Sequence, residues 1–362
     1  MKKILLGLLL FINICAAGFL IGAYLATHFS PNSLPYVYFL GLAYPYILYA
    51  NLIFVVIWLF LKRKYALISG LTILIGFNHL LNFYAFTSGG NDLEKSVKFC
   101  SYNVKIFNLY DTENRIKTRD ECFSFLEEIG ADVYCFQEFY NQEQPSDFET
   151  KSILLEKLGF DNVHEGYTHK LRGDRYFGLA TISKYPIVDK GEIFFDNDAN
   201  NFCIYSDILV EAETLRVYNA HLGSIRFQND DYQVFGDELH ENAYIKKEAG
   251  QQILSRLKQA FEKRAVQAEE VATHIAESPH SVVLCMDLND TPISYAYQQF
   301  TAELNDAFLN SGWGTGKTYI GKMPSNRIDY IFYSDDLESN NFTTEQVEFS
   351  DHKPITCEIG LP

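Results

Sequence analysis

The first 90 residues contain no aspartate and no glutamate, and their only basic residues are Lys2, Lys3, Lys62, Arg63 and Lys64. That excludes an ordinary solvated domain, whose surface is built largely from charged side chains. Cysteine is sparse and unpatterned. The seven residues Cys15, Cys100, Cys122, Cys135, Cys203, Cys285 and Cys357 include no CxxC, which excludes the usual zinc-finger spacings. Cys100, Cys135 and Cys285 lie in apolar runs and read as packing residues; sequence selects no disulfide pair. Basic charge is the third shortage. The whole chain has 30 Lys+Arg against 46 Asp+Glu; beyond residue 90 all 46 acids meet only 25 bases, a formal charge of −21. Such a domain repels polyanions unless a basic patch intervenes, so nucleic acid is disfavoured as a partner. The one basic run, Lys246, Lys247, Arg256, Lys258, Lys263 and Arg264, lies among compensating acids.

What fills the acid-free part is hydrophobic. Three stretches, at about 4–27, 36–61 and 65–86, each reach the roughly 20 residues needed to cross a bilayer as a helix. The first begins Met1-Lys2-Lys3 but is too long for a signal-peptide core, and two more follow, so it is expected to remain as an anchor. Pro45 would kink the second span. Lys2-Lys3 and Lys62-Arg63-Lys64 fall on one side of a three-span arrangement, which the positive-inside rule makes cytoplasmic. The expectation is a multi-pass protein of the cell (inner) membrane, residues 1–90 forming the anchor, with the lipid bilayer as partner and residues 91–362 extracytoplasmic.

After a short linker at 88–93, brief β-rich runs alternate with helical patterns. Strands are expected at 97–103, 133–137, 179–183, 202–210, 215–220, 282–286 and 328–333. Helices are expected at 115–129 and from 244 to about 277, where Ile245, Ala249, Ile253, Leu257, Phe261, Ala265, Ala268, Val271 and Ile275 form one apolar stripe. That mixture implies a layered α/β sandwich. No internal repeat is evident.

Polar clusters punctuate the apolar runs: Asn103, Gln137-Glu138, Asn219 to His221, Asp287 to Asn289, Arg327 to Asp329, and Ser350-Asp351-His352-Lys353-Pro354. One centre assembled from many strand ends leaves this trace. Carboxylates suit a divalent metal, histidines suit proton transfer, and Asn and Arg suit phosphate oxygens. Arg172, Arg175 and Tyr176 are further candidates for contacting phosphate.

In this order the clusters resemble the endonuclease/exonuclease/phosphatase superfamily from about residue 98 to 359. The resemblance implies a four-layer α/β/β/α sandwich of deoxyribonuclease I-like fold, here preceded by an all-α segment of three transmembrane helices. It implies Mg²⁺ or Mn²⁺ held by Glu138, with Asp351 and Asn103. Asp287 would activate water, Asn289 and His352 would bind phosphate oxygens, Asp329 would orient His352, and His221 would assist the leaving group. Substrate-binding candidates are Asn103, Asn289 and Arg175. The pattern departs from the family at Lys105, where some members carry an acid, and at Met286 and Leu288, which replace the Gly and Phe of a Gly-Asp-Phe-Asn motif.

The expected activity is hydrolysis of a phosphodiester or phosphomonoester, on a lipid headgroup or other small phosphoester. The alternatives are an extracytoplasmic nuclease and an inactive tethered binding module. Residues 312–318, GWGTGKT, resemble a phosphate-binding P-loop but are one residue short of its spacing and follow no clear strand. They read as a glycine-rich surface loop, one that could touch substrate. Residues 224–242, with Phe227, Tyr232 and Phe235 among acids, suggest a lid or membrane-facing loop, or equally an ordinary insertion.

Overall fold

The computed structural model describes residues 2–87, 93–143, 145–225, 243–321 and 326–361. Most of the linker at 88–93, most of the tract at 224–242 and the side chains of Lys246 and Lys247 lie outside what is described.

The apolar N-terminal part folds as α1 (Lys2–Leu25), α2 (Val37–Leu42), α3 (Tyr44–Leu61), α4 (Ala66–Ile75) and α5 (Phe77–Phe83). Three spans were expected; by length and composition the described helices give two, or three if one bent pair counts as a single span. Among the described residues only α1 and α3 are by themselves long and apolar enough to cross a bilayer, while the turn Arg63–Tyr65 with α4 and α5 forms a pair bent by 62°. The second expected span breaks at Ala43, because Pro45 sits in the first turn of α3, where its missing N–H costs nothing. The third bends at Gly76, which lies against the Tyr24 ring; an added Cβ there would fall 1.9 Å from that ring. Inside the bundle the Trp58 indole N–H donates to Asn13 (2.8 Å), Asn13 to Ser69 (2.5 Å), and Ser69 to Asn51 (2.7 Å). These neutral hydrogen bonds tie α1, α3 and α4 together without charge.

The remaining chain forms two six-stranded sheets. The first is built from β2 (Ser96–Asn103), β3 (Val133–Gln142), β4 (Asn162–Leu171), β5 (Arg175–Ser183), β13 (Glu338–Thr344) and β14 (Ile355–Gly360), in the order β13-β14-β2-β3-β5-β4. The second contains β6 (Ile187–Phe194), β7 (Phe202–Val210), β8 (Glu213–His221), β9 (Ser281–Asp287), β10 (Asn305–Asp306) and β12 (Asp329–Tyr333), in the order β10-β12-β9-β8-β7-β6. Each sheet has one parallel pair at its centre, β2 with β3 and β8 with β9, flanked by antiparallel strands.

Alternation along each strand separates two packing surfaces. Val97, Phe99, Val133 and Cys135 meet Val217, Val283, Cys285 and Ile331 between the sheets. Cys100, Tyr102, Tyr134 and Phe136 point outward onto α6 (Arg115–Ile129) and α7 (Thr150–Leu158). Leu284 and Met286 point onto α8 (Ala243–Ala276) and α9 (Tyr295–Thr301). Central strands are thus covered on both faces, which is why they read as continuous apolar runs. Each such side chain contributes about 1.5–3 kcal/mol on burial. The edge strands β4, β6 and β13 were missed in the sequence because their exposed faces carry polar residues. All seven cysteines are free thiols, and six are buried.

The bundle and the sheets are joined by more than the chain. Tyr38 on α2 stacks on Phe261 of α8, with centroids 4.7 Å apart, beside Ile253 and Leu257. Gly41 passes so close to the Ile293 carbonyl that a Cβ would fall 2.3 Å from its oxygen. After α5, β1 (Ala85–Phe86) pairs antiparallel with β11 (Trp313–Gly314). Arg327 bridges the same junction from below: buried, it pairs with Asp306 (2.6 Å) and donates to the Asn82 carbonyl (2.8 Å).

Candidate active site

The parallel strands β2, β3, β8 and β9 all end at one edge of the sandwich, and their last residues are the polar ones. Asn103 ends β2, His221 ends β8 and Asp287 ends β9, while Glu138 interrupts β3. The antiparallel neighbours complete the set at their starts: Asp329 opens β12, and His352 lies just before β14. Register aligns His221 with Asp287 and Asp287 with Asp329. Glu138 sits at a register shift between Phe136 and Phe139 with φ of 50°, so a bulge re-aims its carboxylate towards the groove.

The side chains converge. The Asn103 amide donates to Asp287 (2.9 Å) and to Glu138 (3.4 Å). His352 Nδ1 lies 3.0 Å from Asp329 Oδ2, and its Nε2 lies 3.8 Å from Asp287. His221 Nε2 lies 3.6 Å from Asp287 and 4.0 Å from Glu138. Beneath them, between the sheets, buried Asn219 accepts from Gln137 (2.8 Å) and donates to the carbonyls of Phe136 and Ala180. Asn219 and Gln137 therefore brace the two sheets under the site.

The electrostatics are unequal. Burial opposes charge on His352, but Asp329 and Asp287 outweigh it, and its pKa is raised to about 10. Burial pushes Asp287 and Glu138 upward, although the His352 charge offsets part of the effect on each. A raised carboxylate accepts a proton more readily than an ordinary one, as a general base requires.

Other expected residues are placed differently. Asp351 is held by Lys105 (2.9 Å), the residue that departs from the family pattern. Lys105 begins a turn, Lys105 to Asn108, whose φ values all lie between 45° and 52°. Left-handed backbone costs about 1–2 kcal/mol per residue, and strain of this kind concentrates at functional sites. Asn289, with φ of 56°, donates its amide to the Leu222 carbonyl (3.0 Å). The side chain thereby ties the ends of β8 and β9 together. Arg175 opens β5, exposed, with its Nε donating to the Arg172 carbonyl, and it pairs in register with Gln142, outside the cluster. Arg327 belongs to the bundle junction.

A metal can be tested against these groups. Asp287, Asp329 and His352 lie close enough together to suggest a ligand trio. His352 does not suit that role, because Asp329 and Asp287 favour its cationic form, which has no lone pair to give a metal. Glu138 and Asn103, with Asp351 nearby, offer hard oxygen donors around negative charge that burial leaves under-neutralised, which suits Mg²⁺ or Mn²⁺.

Beside Glu138 and His221 a groove of about 500 Å³ opens, lined by Ile106, Tyr110, Thr168, His169, Leu171, Phe177, Asn200, Phe202 and Ser224. No Lys or Arg stands among its described lining residues. His169, Tyr110 and Phe177 were not singled out in the sequence; they come from a hairpin, a loop and a strand with no motif to mark them.

Comparison with known proteins agrees with this geometry. Residues 100–352 match the model of the Endonuclease/Exonuclease/phosphatase family, and residues 3–83 match a domain of unknown function. A search of curated proteins finds no match. Among solved structures, the human Nocturnin catalytic domain with bound sulfate anion is 15% identical, with TM-score 0.54, over 76% of this chain and 97% of that one. An endonuclease/exonuclease/phosphatase from Beutenbergia cavernae is 17% identical, with TM-score 0.52, over 74% and 72%. One from Bacteroides vulgatus is 17% identical, with TM-score 0.52, over 74% and 100%. At these identities the structures show the shared fold.

Proposed function

Because the chain belongs to the endonuclease/exonuclease/phosphatase family, we propose that it is a metal-dependent phosphoesterase anchored in the cell membrane, acting on a small phosphoester at the bilayer surface. The observation that carries this is the convergence of Asn103, Glu138, His221, Asp287, Asp329 and His352 from both sheets at one edge. Glu138 and Asn103, with Asp351 beside them, would hold Mg²⁺ or Mn²⁺. Bound there, the ion would neutralise phosphate charge and polarise the ester.

The chain's own groups supply the rest. Asp287 accepts a proton from the attacking water as its oxygen bonds phosphorus. His352, cationic through neutral pH and held by Asp329, donates to a phosphate oxygen where negative charge grows. The bond to the leaving oxygen breaks, and His221 gives that oxygen its proton. Asn289 keeps the β8 and β9 ends in register with one another.

Two features favour a small or lipid-borne ester over nucleic acid. The groove beside Glu138 has apolar and neutral polar walls, and the domain's acidity disfavours a long polyanion. With the bent α4–α5 pair taken as the third span, the positive-inside pattern of Lys2-Lys3 and Lys62-Arg63-Lys64 favours an extracytoplasmic site. The test is hydrolysis by the full-length protein in vesicles, comparing phospholipid diesters with single-stranded DNA, each with Mg²⁺ and with EDTA. Metal-dependent release from lipid, absent in Glu138→Gln, is expected. Metal-independent turnover, or turnover of DNA alone, would sink the proposal.

A further inference from the structure

The glycine-rich run 312–318 has no part in the chemistry above, yet it presents the most exposed tryptophan of the protein. Trp313 is 68% exposed and Phe86 65% exposed, and they face each other edge-on with centroids 6.4 Å apart. The pairing is built in: Phe86 and Trp313 are cross-strand partners in the two-stranded β1–β11 ribbon. Phe86 lies only three residues beyond the end of α5 at Phe83. Two large rings held open to solvent at that point need a partner.

Its chemistry follows from what surrounds them. At the same end of the bundle Tyr49 and Tyr84 share a hydrogen bond of 2.6 Å between their hydroxyls, and Tyr46 is 65% exposed. Rings with a wet edge and an apolar face collect at the headgroup level of a bilayer. The ribbon carries no charged side chain until exposed Lys317, whose long stem can keep its ammonium among phosphates.

We propose that Phe86 and Trp313 form one aromatic wedge that seats the glycine-rich loop of the catalytic domain in the headgroup layer of the outer leaflet; this rests on the reading of α1 to α5 as a membrane anchor. The loop then links the bilayer to the site. Five residues beyond Trp313, the Thr318 hydroxyl accepts from the backbone N–H groups of Ile328 (3.1 Å) and Asp329 (3.2 Å), and its carbonyl accepts from Lys353 (2.8 Å). Tyr319 is bridged to His352. The segment that touches lipid is therefore the one that positions the Asp329–His352 pair.

The chain has two tryptophans, Trp58 inside the bundle and Trp313 at the wedge, which separates the two readings. The full chain and its W313F variant are placed in phosphatidylcholine vesicles brominated on the acyl carbons nearest the headgroup. The emission lost on going from wild type to W313F belongs to Trp313, and the remainder to Trp58. The expectation is that both are quenched, the Trp313 component by about twofold or more. Quenching of Trp58 with an unquenched Trp313 would overturn the wedge and leave the anchor standing. Quenching of neither would overturn both.

Discussion

The bundle and the catalytic edge both bury polar side chains, and they treat them in opposite ways. Asn13, Asn51, Ser69 and Trp58 form a chain of neutral groups in which each donor meets an acceptor. Such a cluster is stable by itself and holds helices in register. At the catalytic edge Glu138, Asp287 and Asp329 crowd around one buried imidazolium, with two of the carboxylates pushed above their ordinary pKa. There the polar groups lack full compensation. The difference teaches that the strand ends carry negative charge that their own neighbours only partly offset, the condition under which the proposed divalent cation would add most.

The largest test of that contrast is removal of a charge from the edge. His352→Ala should lower kcat/KM by about 10²–10⁴-fold, whereas Asn51→Leu in the bundle should leave kcat unchanged. Equal losses from the two would erase the distinction.

Next comes metal. Above their unfolded values the raised carboxylates lower stability, since the folded state binds their protons more tightly; that loss grows as pH rises from about 4 through the folded values. His352 acts in the same direction, its contribution present below 6.5 and lost as pH rises towards about 10. Mg²⁺ at a hundredfold excess over its pH 7 Kd should add about 2.7 kcal/mol of stability at pH 7, and less at pH 4, where protons compete for Glu138, whose pKa burial raises. Thermal unfolding at the two pH values measures this, and the same stabilisation at both would contradict it.

The pH profile sharpens the role of Asp329. Activity should fall on the alkaline side as His352 loses its proton near pH 10, and Asp329→Asn should move that limb to lower pH. An unmoved limb would remove Asp329 from the positioning role. The smallest effects belong outside the cluster: Arg175→Ala should change kcat/KM by less than about twofold, since exposed arginines contribute little. In the bundle, Asn51→Leu should cost about 0.6–2 kcal/mol, read in detergent unfolding.

Much of the site was legible beforehand because its residues end apolar runs. Asn103, Glu138, His221, Asp287 and Asp329 each follow or open a buried strand, and a strand end is visible as a polar break. The spans were read less well. The chain bends by 62° at Gly76, which packs against the Tyr24 ring of another helix. Arg175 was expected to contact phosphate, and the structure places it at the exposed start of β5, outside the cluster. His169 and Phe177 could not be picked out, since nothing local tells which turn or edge faces the groove.

By itself the sequence determined the division of the chain, an acid-free apolar part and an acidic α/β part, because hydropathy and charge are local properties. It also determined which residue types stood at the strand ends. Only the tertiary structure decided that those ends share one edge, since that depends on parallel pairing of β2 with β3 and of β8 with β9. It likewise decided that Lys105 takes Asp351, that Arg327 belongs to the junction, and that Trp313 stands beside Phe86. Each of these is a contact between residues far apart in the chain, and spacing along a sequence carries no record of such distances.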